Sequence, residues 1–169
     1  MLGGSLVVRY RYAATMSTEV ETHSETVATV LFLCTGNYYR SRFAEELFNH
    51  LAARRQLPVR STSRGFSPSP EFNPGSISEH TLRALRALGI EAVSGSRLPR
   101  AVDREDFLRH AHWIAFSETE HRPMMEQLFP EFAGKVTYWH IEDLDWESPE
   151  MALAKIERNV RHLLDRLPG

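Results

Sequence analysis

Short apolar runs alternate with longer amphipathic segments along most of the chain. In the longer segments apolar residues recur every three or four positions, which is the spacing of one face of a helix. Strands that alternate with helices favour a parallel sheet covered by helices on both faces. The pattern therefore predicts an α/β three-layer sandwich around a four-stranded parallel sheet, as in Rossmann- and flavodoxin-like folds. The predicted strands cover residues 28–33, 58–63, 113–116 and 136–139.

Residues that commonly cap helices mark the starts of the predicted helices. A Ser-x-x-Glu pair can satisfy backbone amides of the first helical turn, and proline is favoured at the first helical position. The first predicted helix spans residues 41–53. The later helices are predicted to begin at the Ser76–Glu79 pair, at the Ser117–Glu120 pair, and at Ser148 followed by Pro149.

A single domain over residues 27–169 accounts for this pattern. Residues 1–26 contain only a short apolar run and many Ser, Thr and Glu residues, so we expect a disordered N-terminal tail. No stretch is apolar enough to span a membrane. The net charge of −2 and the lack of a basic cluster argue against nucleic acids and anionic membranes as partners.

The chain has one cysteine, Cys34, which directly follows the most apolar run, residues 30–33. One cysteine excludes an intramolecular disulfide and is typical of the reducing cytoplasm. Ligands of parallel α/β sheets bind beyond the carboxyl ends of the strands. The thiol is therefore predicted to lie where the fold would place a binding site.

The residues after Cys34 can form an anion cradle. A loop with Gly36 and Asn37 can turn consecutive amide groups inward, and the helix that follows adds its positive end. Arg40 has a planar guanidinium that can grip two oxygens of phosphate, sulfate or arsenate. The same donors would keep a cysteine ionised at neutral pH. The loop therefore favours a cysteine nucleophile inside an oxyanion site.

A second interpretation of Cys34 is a small buried side chain without chemistry, which is common for a free cysteine after an apolar run. Arginine makes up 18 of the 169 residues, so an arginine six positions after the cysteine is expected by chance in about one case in nine. The cysteine and the arginine alone therefore do not decide between the two interpretations. The complete string of residues 34–45 decides between them.

The string from Cys34 to Glu45 resembles the phosphate-binding loop of low-molecular-weight protein tyrosine phosphatases. That family has a nucleophilic cysteine followed by Gly-Asn, Arg-Ser and Ala-Glu, and carries this loop after its first strand. The resemblance implies the phosphotyrosine phosphatase I-like fold, catalytic roles for Cys34 and Arg40, and no cofactor. It implies a phosphate- or substrate-binding loop made of Thr35, Gly36, Asn37, Tyr38, Tyr39, Arg40 and Ser41.

Two residues of the loop region depart from the family pattern. Tyr39 stands where relatives usually have a second cysteine, and Arg42 stands where they have a proline. Without a second thiol, oxidised Cys34 has no neighbour for a protective disulfide, so we expect overoxidation by peroxide. Tyr38 falls at the variable position that faces the substrate pocket in the family. Either tyrosine could narrow that pocket, and the alternative is that one of them packs inward.

The general acid of the family is an aspartate in an Asp-Pro pair before the last helix. By register this residue is Asp143, with Leu144 in place of the proline, and Asp145 is the competing candidate. A carboxylic acid in this role protonates the leaving group. A solvated surface connection is the alternative for this acidic loop. Trp146 could wall the pocket, but we expect a tryptophan here to cap the core.

Supporting contacts of the loop are also implied by the resemblance. Ser63, after the second strand, is expected to hydrogen-bond to Asn37 and hold the loop in shape. Ser41 is expected to donate to the sulfur of Cys34. Family members often have a histidine that completes this network, and residues 94–96 contain none. The histidines that the chain does have match no common metal-ligand spacing, so no metal is expected.

The predicted function is therefore that of a phosphomonoesterase, a hydrolase that forms a phosphocysteine intermediate. The resemblance implies a phosphotyrosyl protein as substrate, while phosphoarginine and small phosphate esters stay open. Three alternatives remain. They are an arsenate reductase that uses an external thiol, a noncatalytic oxyanion- or phosphoprotein-binding module, and a purely structural or interaction protein.

Overall fold

A computed structural model describes residues 28–167, and the predicted tail at residues 1–26 lies outside this range. The strands are β1 (Ala28–Cys34), β2 (Val59–Gly65), β3 (His112–Ala115) and β4 (Thr137–Tyr138). The helices are α1 (Arg40–Arg54), α2 (Glu79–Ala87), α3 (Arg104–Arg109), α4 (Glu118–Leu128), α5 (Pro130–Ala133) and α6 (Pro149–Arg166).

The four strands form one parallel sheet in the order β2-β1-β3-β4. β1 pairs with β2 along residues 28–34 and with β3 along residues 30–33. The predicted four-stranded parallel sheet is confirmed, and each predicted strand lies within two residues of the observed one. The short helices α3 and α5 were not predicted, because their six and four residues carry too little periodicity to be recognised.

β1 divides the core between two layers. Val30 and Phe32 pack in a cluster with residues of α1 and α6. Leu31 and Leu33 pack in a second cluster with residues of α3, α4 and α5. Since successive side chains of a strand point to opposite faces of the sheet, a run of apolar residues fills both layers at once. This arrangement confirms the three-layer sandwich.

Two of the three predicted helix caps are confirmed. Ser148 accepts a hydrogen bond from the amide of Met151, 3.3 Å away, at the start of α6. Ser117 accepts from the amide of Glu120 at 3.2 Å at the start of α4. The predicted start at Ser76 is wrong. Ser78 caps α2 instead, and its own amide donates to the carbonyl of Tyr38 at 2.9 Å, which ties the cap to the cysteine loop.

The carboxyl ends of the strands gather the segments that carry the predicted chemistry. β1 ends at Cys34, β2 at Gly65 and β3 two residues before Ser117. The acidic loop follows β4 and leads into α6. Parallel strands place these ends at one edge of the sheet, so the fold brings four separate segments to one place. Within residues 28–167, no helix is long and apolar enough to cross a membrane.

Candidate active site

Cys34 lies at the base of the loop that connects β1 to α1. Cys34 is buried, with 3% of its surface exposed. Its sulfur lies 3.0 Å from the hydroxyl oxygen of Ser41, in the first turn of α1. This distance allows the hydroxyl to donate to the sulfur, as the resemblance implied.

Asn37 sets the shape of the loop. Its φ of 51° is in the left-handed region, which asparagine tolerates better than most residues. The amide nitrogen of its side chain donates to the hydroxyl oxygens of Ser41 at 3.1 Å and Ser63 at 2.8 Å. Its amide oxygen accepts from the backbone N–H of Arg100 at 2.9 Å. The predicted contact with Ser63 is therefore present, and Asn37 has partners on both sides of its amide.

A close approach of β2 supports the loop from the side. A Cβ atom added to Gly65 would lie 2.7 Å from the carbonyl oxygen of Thr35 and 2.8 Å from the amide nitrogen of Asn37. Backbone atoms cannot yield to such a contact, so glycine is needed here. The amide of Phe66 donates to the carbonyl of Cys34 at 3.0 Å. The chain after β2 therefore holds the carbonyls at the start of the loop.

The amide groups of the loop are not used by other backbone groups. Within residues 28–167, none of the amides of residues 35–41 donates to a backbone carbonyl. Buried amide groups in native proteins nearly always find an acceptor in the protein or in solvent. A row of uncommitted amides between a strand and a helix N-terminus is the arrangement that binds anions.

Arg40 is held by two carboxylates. It is 1% exposed, and one guanidinium nitrogen, Nη2, donates to Asp143 at 2.9 Å and to Glu120 at 3.0 Å. The other, Nη1, donates to Glu120 at 3.0 Å and to the carbonyl of Ile141 at 3.2 Å. Burial lowers the pKa of Arg40, but the negative charges of Cys34, Asp143 and Glu120 outweigh it and raise that pKa. The guanidinium is therefore charged and fixed in place.

Glu120 belongs to this site, although the sequence indicated only a helix cap for it. The amide of Ser117 donates to His121 Nδ1 at 3.0 Å, so it does not need the Glu120 side chain as an acceptor. That side chain turns to Arg40 and also accepts a hydrogen bond from Thr35. The Ser-x-x-Glu spacing was the only signal in the sequence, and it points equally to a capping box.

His121 sits behind Glu120 and is fully buried. Since its Nδ1 accepts from Ser117, its Nε2 carries the proton and points to the Glu120 carboxylate, 3.3 Å away. Burial lowers the pKa of His121, although Glu120 opposes this effect. Burial also raises the pKa of Glu120, but the hydrogen bond from His121 and the charge of Arg40 outweigh it and leave that pKa lowered. The pair is a neutral imidazole next to an ionised carboxylate.

The acidic loop brings Asp143, not Asp145, to Arg40. Asp143 accepts from Arg40, while Asp145 is exposed on the turn that follows. The other oxygen of the Asp143 carboxylate accepts from the amide of Leu144 at 2.8 Å. A proline at this position could not donate that bond. The leucine therefore replaces the stiffness of a proline with a hydrogen bond that orients the carboxylate.

Three aromatic side chains near the loop have different environments. Trp146 is 83% exposed, so the expectation that it caps the core is wrong. Tyr38 is half-buried, and its hydroxyl donates to the carbonyl of Pro74 at 2.8 Å. Tyr39 packs in the core, where its ring makes a T-shaped contact with His80, so its backbone amide is the part that remains available to the loop. Burial and the charge of Asp143 raise the pKa of the Tyr39 hydroxyl.

A groove lies beside the loop and carries several acidic residues. No group of three or more His, Cys, Asp or Glu side chains within residues 28–167 is arranged to hold a metal ion. The groove is lined by Thr119, Glu120, Glu142, Asp143, Asp145 and Trp146.

Comparisons with known proteins identify the family. The model of the family described as low molecular weight phosphotyrosine protein phosphatase matches residues 29–168. A protein-arginine-phosphatase of Bacillus subtilis is 28% identical over 109 residues, which are 63% of this chain and 67% of that protein.

Solved structures share the fold. YfkJ of Bacillus subtilis matches with a TM-score of 0.71 and 23% identity, over 82% of this chain and 93% of that one. Wzb of Vibrio vulnificus, solved in complex with benzylphosphonate, matches with a TM-score of 0.70 and 16% identity, over 83% of this chain and 99% of that one. The family match spans the strand-end cysteine loop and the rest of the described domain, so this chain belongs to the low molecular weight phosphotyrosine protein phosphatase family and is a hydrolase, a phosphatase that acts through a cysteine nucleophile.

Proposed function

We propose that this chain hydrolyses phosphotyrosyl proteins, with Cys34 as nucleophile, Arg40 and the loop amides as the phosphoryl-binding groups, and Asp143 as the general acid. One observation carries the proposal. Cys34 lies under a loop whose amides have no backbone acceptor in the described chain, with a buried guanidinium at the loop's end. These groups supply positive charge where a phosphoryl group gains negative charge during transfer.

The first chemical step transfers the phosphoryl group to the enzyme. The sulfur of Cys34 attacks phosphorus in line, an S–P bond forms, and the bond from phosphorus to the leaving oxygen breaks. Asp143 gives its proton to that oxygen, which leaves as the hydroxyl of tyrosine. The oxygens that do not react remain on Arg40 and on the amides of residues 35–41.

The second step releases inorganic phosphate. Asp143, now ionised, takes a proton from water as the water oxygen attacks phosphorus, and the S–P bond breaks. Cys34 leaves as a thiolate. The hydroxyl of Ser41, 3.0 Å from the sulfur, donates to the charge that develops there.

A protein arginine phosphatase is the second candidate function. It is favoured by the acidic groove next to Arg40, because carboxylates attract the guanidinium part of a phosphoarginine side chain. The relative from Bacillus subtilis described as a protein-arginine-phosphatase supports the same candidate. Phosphotyrosine is the main proposal because the family description names it and because exposed Trp146 offers an aromatic surface at the groove.

Turnover of para-nitrophenyl phosphate by the native chain and by Cys34→Ser tests the chemistry. We expect release of nitrophenol by the native chain only, and a phosphoenzyme that can be trapped by rapid acid quench. His162→Gln, which changes an exposed side chain of α6, serves as the control and should keep full activity. Turnover by Cys34→Ser at the native rate would disprove the nucleophile.

The substrate class needs a separate comparison. Peptides of one sequence that carry phosphotyrosine or phosphoarginine should be compared by kcat/KM. A higher kcat/KM for phosphotyrosine supports the main proposal. A higher value for phosphoarginine supports the second candidate.

A further inference from the structure

Arg42, which stands at the family's proline position, has no exposed side-chain surface although it is charged. Its guanidinium contacts the segment of residues 93–97, which lies between α2 and α3. It donates to the carbonyls of Ser94 at 2.5 Å and Arg97 at 2.8 Å. A buried charge is tolerated where hydrogen bonds and opposite charge replace water. The carbonyls satisfy the terminal nitrogens of Arg42, and the Glu45 carboxylate lies 3.8 Å from Nε, which has no hydrogen-bond partner within the described residues.

Glu46, four residues further along α1, holds the same segment. Its carboxylate accepts from the amides of Val93 at 3.0 Å and Ser94 at 2.9 Å. Residues four apart lie on one face of a helix, so Arg42 and Glu46 form a two-point clamp of opposite charge. The clamp fixes the backbone of residues 93–97 against α1.

Arg97 extends from this clamped segment towards the cysteine loop. Its Nη2 donates to the Glu45 carboxylate at 2.6 Å and to the hydroxyl oxygen of Ser63 at 3.2 Å. Ser63 in turn gives its own hydrogen to Glu45 and accepts from Asn37. The hydroxyl of Ser63 therefore has every hydrogen-bonding position in use, with Arg97 occupying one of its two acceptor positions.

A continuous chain of hydrogen bonds connects Arg97 to the sulfur. Asn37 donates to the oxygens of both Ser63 and Ser41. Because the oxygen of Ser41 accepts from Asn37, its own hydrogen is left to point at Cys34, 3.0 Å away. Arg97 and Asn37 both donate to the oxygen of Ser63, whose own hydrogen points to Glu45, so Arg97 acts by fixing the position of Ser63 and, through it, of Asn37.

We propose that Arg97 is a positioning residue of the phosphatase reaction, which orients the Ser41 hydroxyl towards Cys34 through Ser63 and Asn37, and that Arg42 holds Arg97 in place. The inference rests on the proposed role of Cys34 as nucleophile. It explains two differences from the family pattern together, the absence of the network histidine from residues 94–96 and the arginine at position 42. Arg97 supplies the missing member of the network, and Arg42 replaces the proline because the segment that carries Arg97 needs an anchor on α1.

Replacement of Arg97 tests the inference. In Arg97→Gln we expect kcat to fall about 10- to 100-fold, the effect of losing a hydrogen bond from a charged donor, with little change in KM. Breakdown of the phosphocysteine should be the slowed step, so a burst of nitrophenol should precede slow turnover. The pH midpoint for alkylation of Cys34 by iodoacetamide should rise, because a weaker Ser41 donor stabilises the thiolate less.

Arg97→Lys and Arg158→Gln make the test specific. The lysine variant keeps the charge without the planar fork and should lie between the native chain and Arg97→Gln. Arg158→Gln removes an exposed arginine of α6 and should behave as the native chain. If Arg97→Gln does not fold, the lysine variant alone decides the outcome through the same burst and alkylation measurements.

A double variant tests the role of Arg42. If Arg42 acts only by holding Arg97, Arg42→Gln combined with Arg97→Gln should lose no more kcat than Arg97→Gln alone. A folded Arg97→Gln with native kcat and a native alkylation profile would overturn the inference. Failure of the proposed function is a different result, since the native chain itself would then release no nitrophenol and form no phosphoenzyme.

Discussion

Arg40 Nη2 lies 2.9 Å from an oxygen of Asp143, so the proposed phosphate-binding cation and the proposed general acid are in direct contact. A phosphoryl oxygen that binds to the guanidinium would compete with Asp143 for this nitrogen. Arrival of the substrate would then release the carboxyl group towards the leaving oxygen. The contact therefore holds the Asp143 carboxyl group next to the proposed phosphoryl site before the substrate binds.

Asp143→Asn should lower kcat for para-nitrophenyl phosphate by about 10²- to 10⁴-fold, since the amide cannot donate a proton to the leaving group. Asp145→Asn, on the exposed part of the same loop, should change kcat little. The two variants are compared by steady-state kinetics at one pH. A larger loss in Asp145→Asn than in Asp143→Asn would show that the acid is Asp145.

Glu120→Gln should weaken the hold on Arg40 while keeping the shape of the side chain. Arg40 would lose the carboxylate that contacts both of its terminal nitrogens, and we expect kcat/KM to fall about 10-fold or more. Glu118→Gln, on the same helix but paired with Arg122, is the matched control. Equal activity of both variants would contradict a role for Glu120 in placing Arg40.

Peroxide should inactivate the enzyme in a way that thiol reductants do not fully reverse. Cys34 is the only cysteine, so its sulfenic acid has no partner for an internal disulfide and can proceed to the sulfinic acid. The measurement is phosphatase activity before and after treatment with dithiothreitol. Tyr39→Cys restores the thiol that relatives have, and recovery should be greater in this variant. Complete recovery of the native enzyme would contradict the prediction.

Acidification should destabilise the fold through His121. Burial lowers the pKa of His121 in the folded chain, so below the ordinary histidine value of about 6.5 only the unfolded chain takes up the proton. The contribution of His121 to the free energy of unfolding is therefore complete above about pH 6.5. It is lost as the pH falls further, and the free energy of unfolding then decreases by at most about 1.4 kcal/mol per pH unit. Urea unfolding between pH 7.5 and 5.5 measures this slope.

His121→Gln should reduce the dependence of the free energy of unfolding on pH between pH 7.5 and 5.5, because glutamine takes up no proton. His162→Gln, an exposed histidine of α6, should leave it unchanged. A slope in His121→Gln that equals the native slope would assign the pH dependence to another group.

The features that depend on neighbours along the chain could be predicted from the sequence. The apolar runs, the caps at Ser117 and Ser148, and the loop after Cys34 are local patterns, and the fold and family followed from them. The cap at Ser76 was misplaced by two residues because both Ser76 and Ser78 are good caps, and contact with Tyr38 decides between them.

The sequence by itself determined the alternation of four strands with the four longer helices, the position of the single thiol and the family loop, since each depends on residues close together in the chain. The tertiary structure alone decided that Glu120 turns to Arg40, 80 positions away, and that Arg42 anchors the segment of Arg97, 55 positions away. The physical reason is that a charged side chain can be buried only beside suitable partners. The folded sheet, and not the local sequence, brings those partners together.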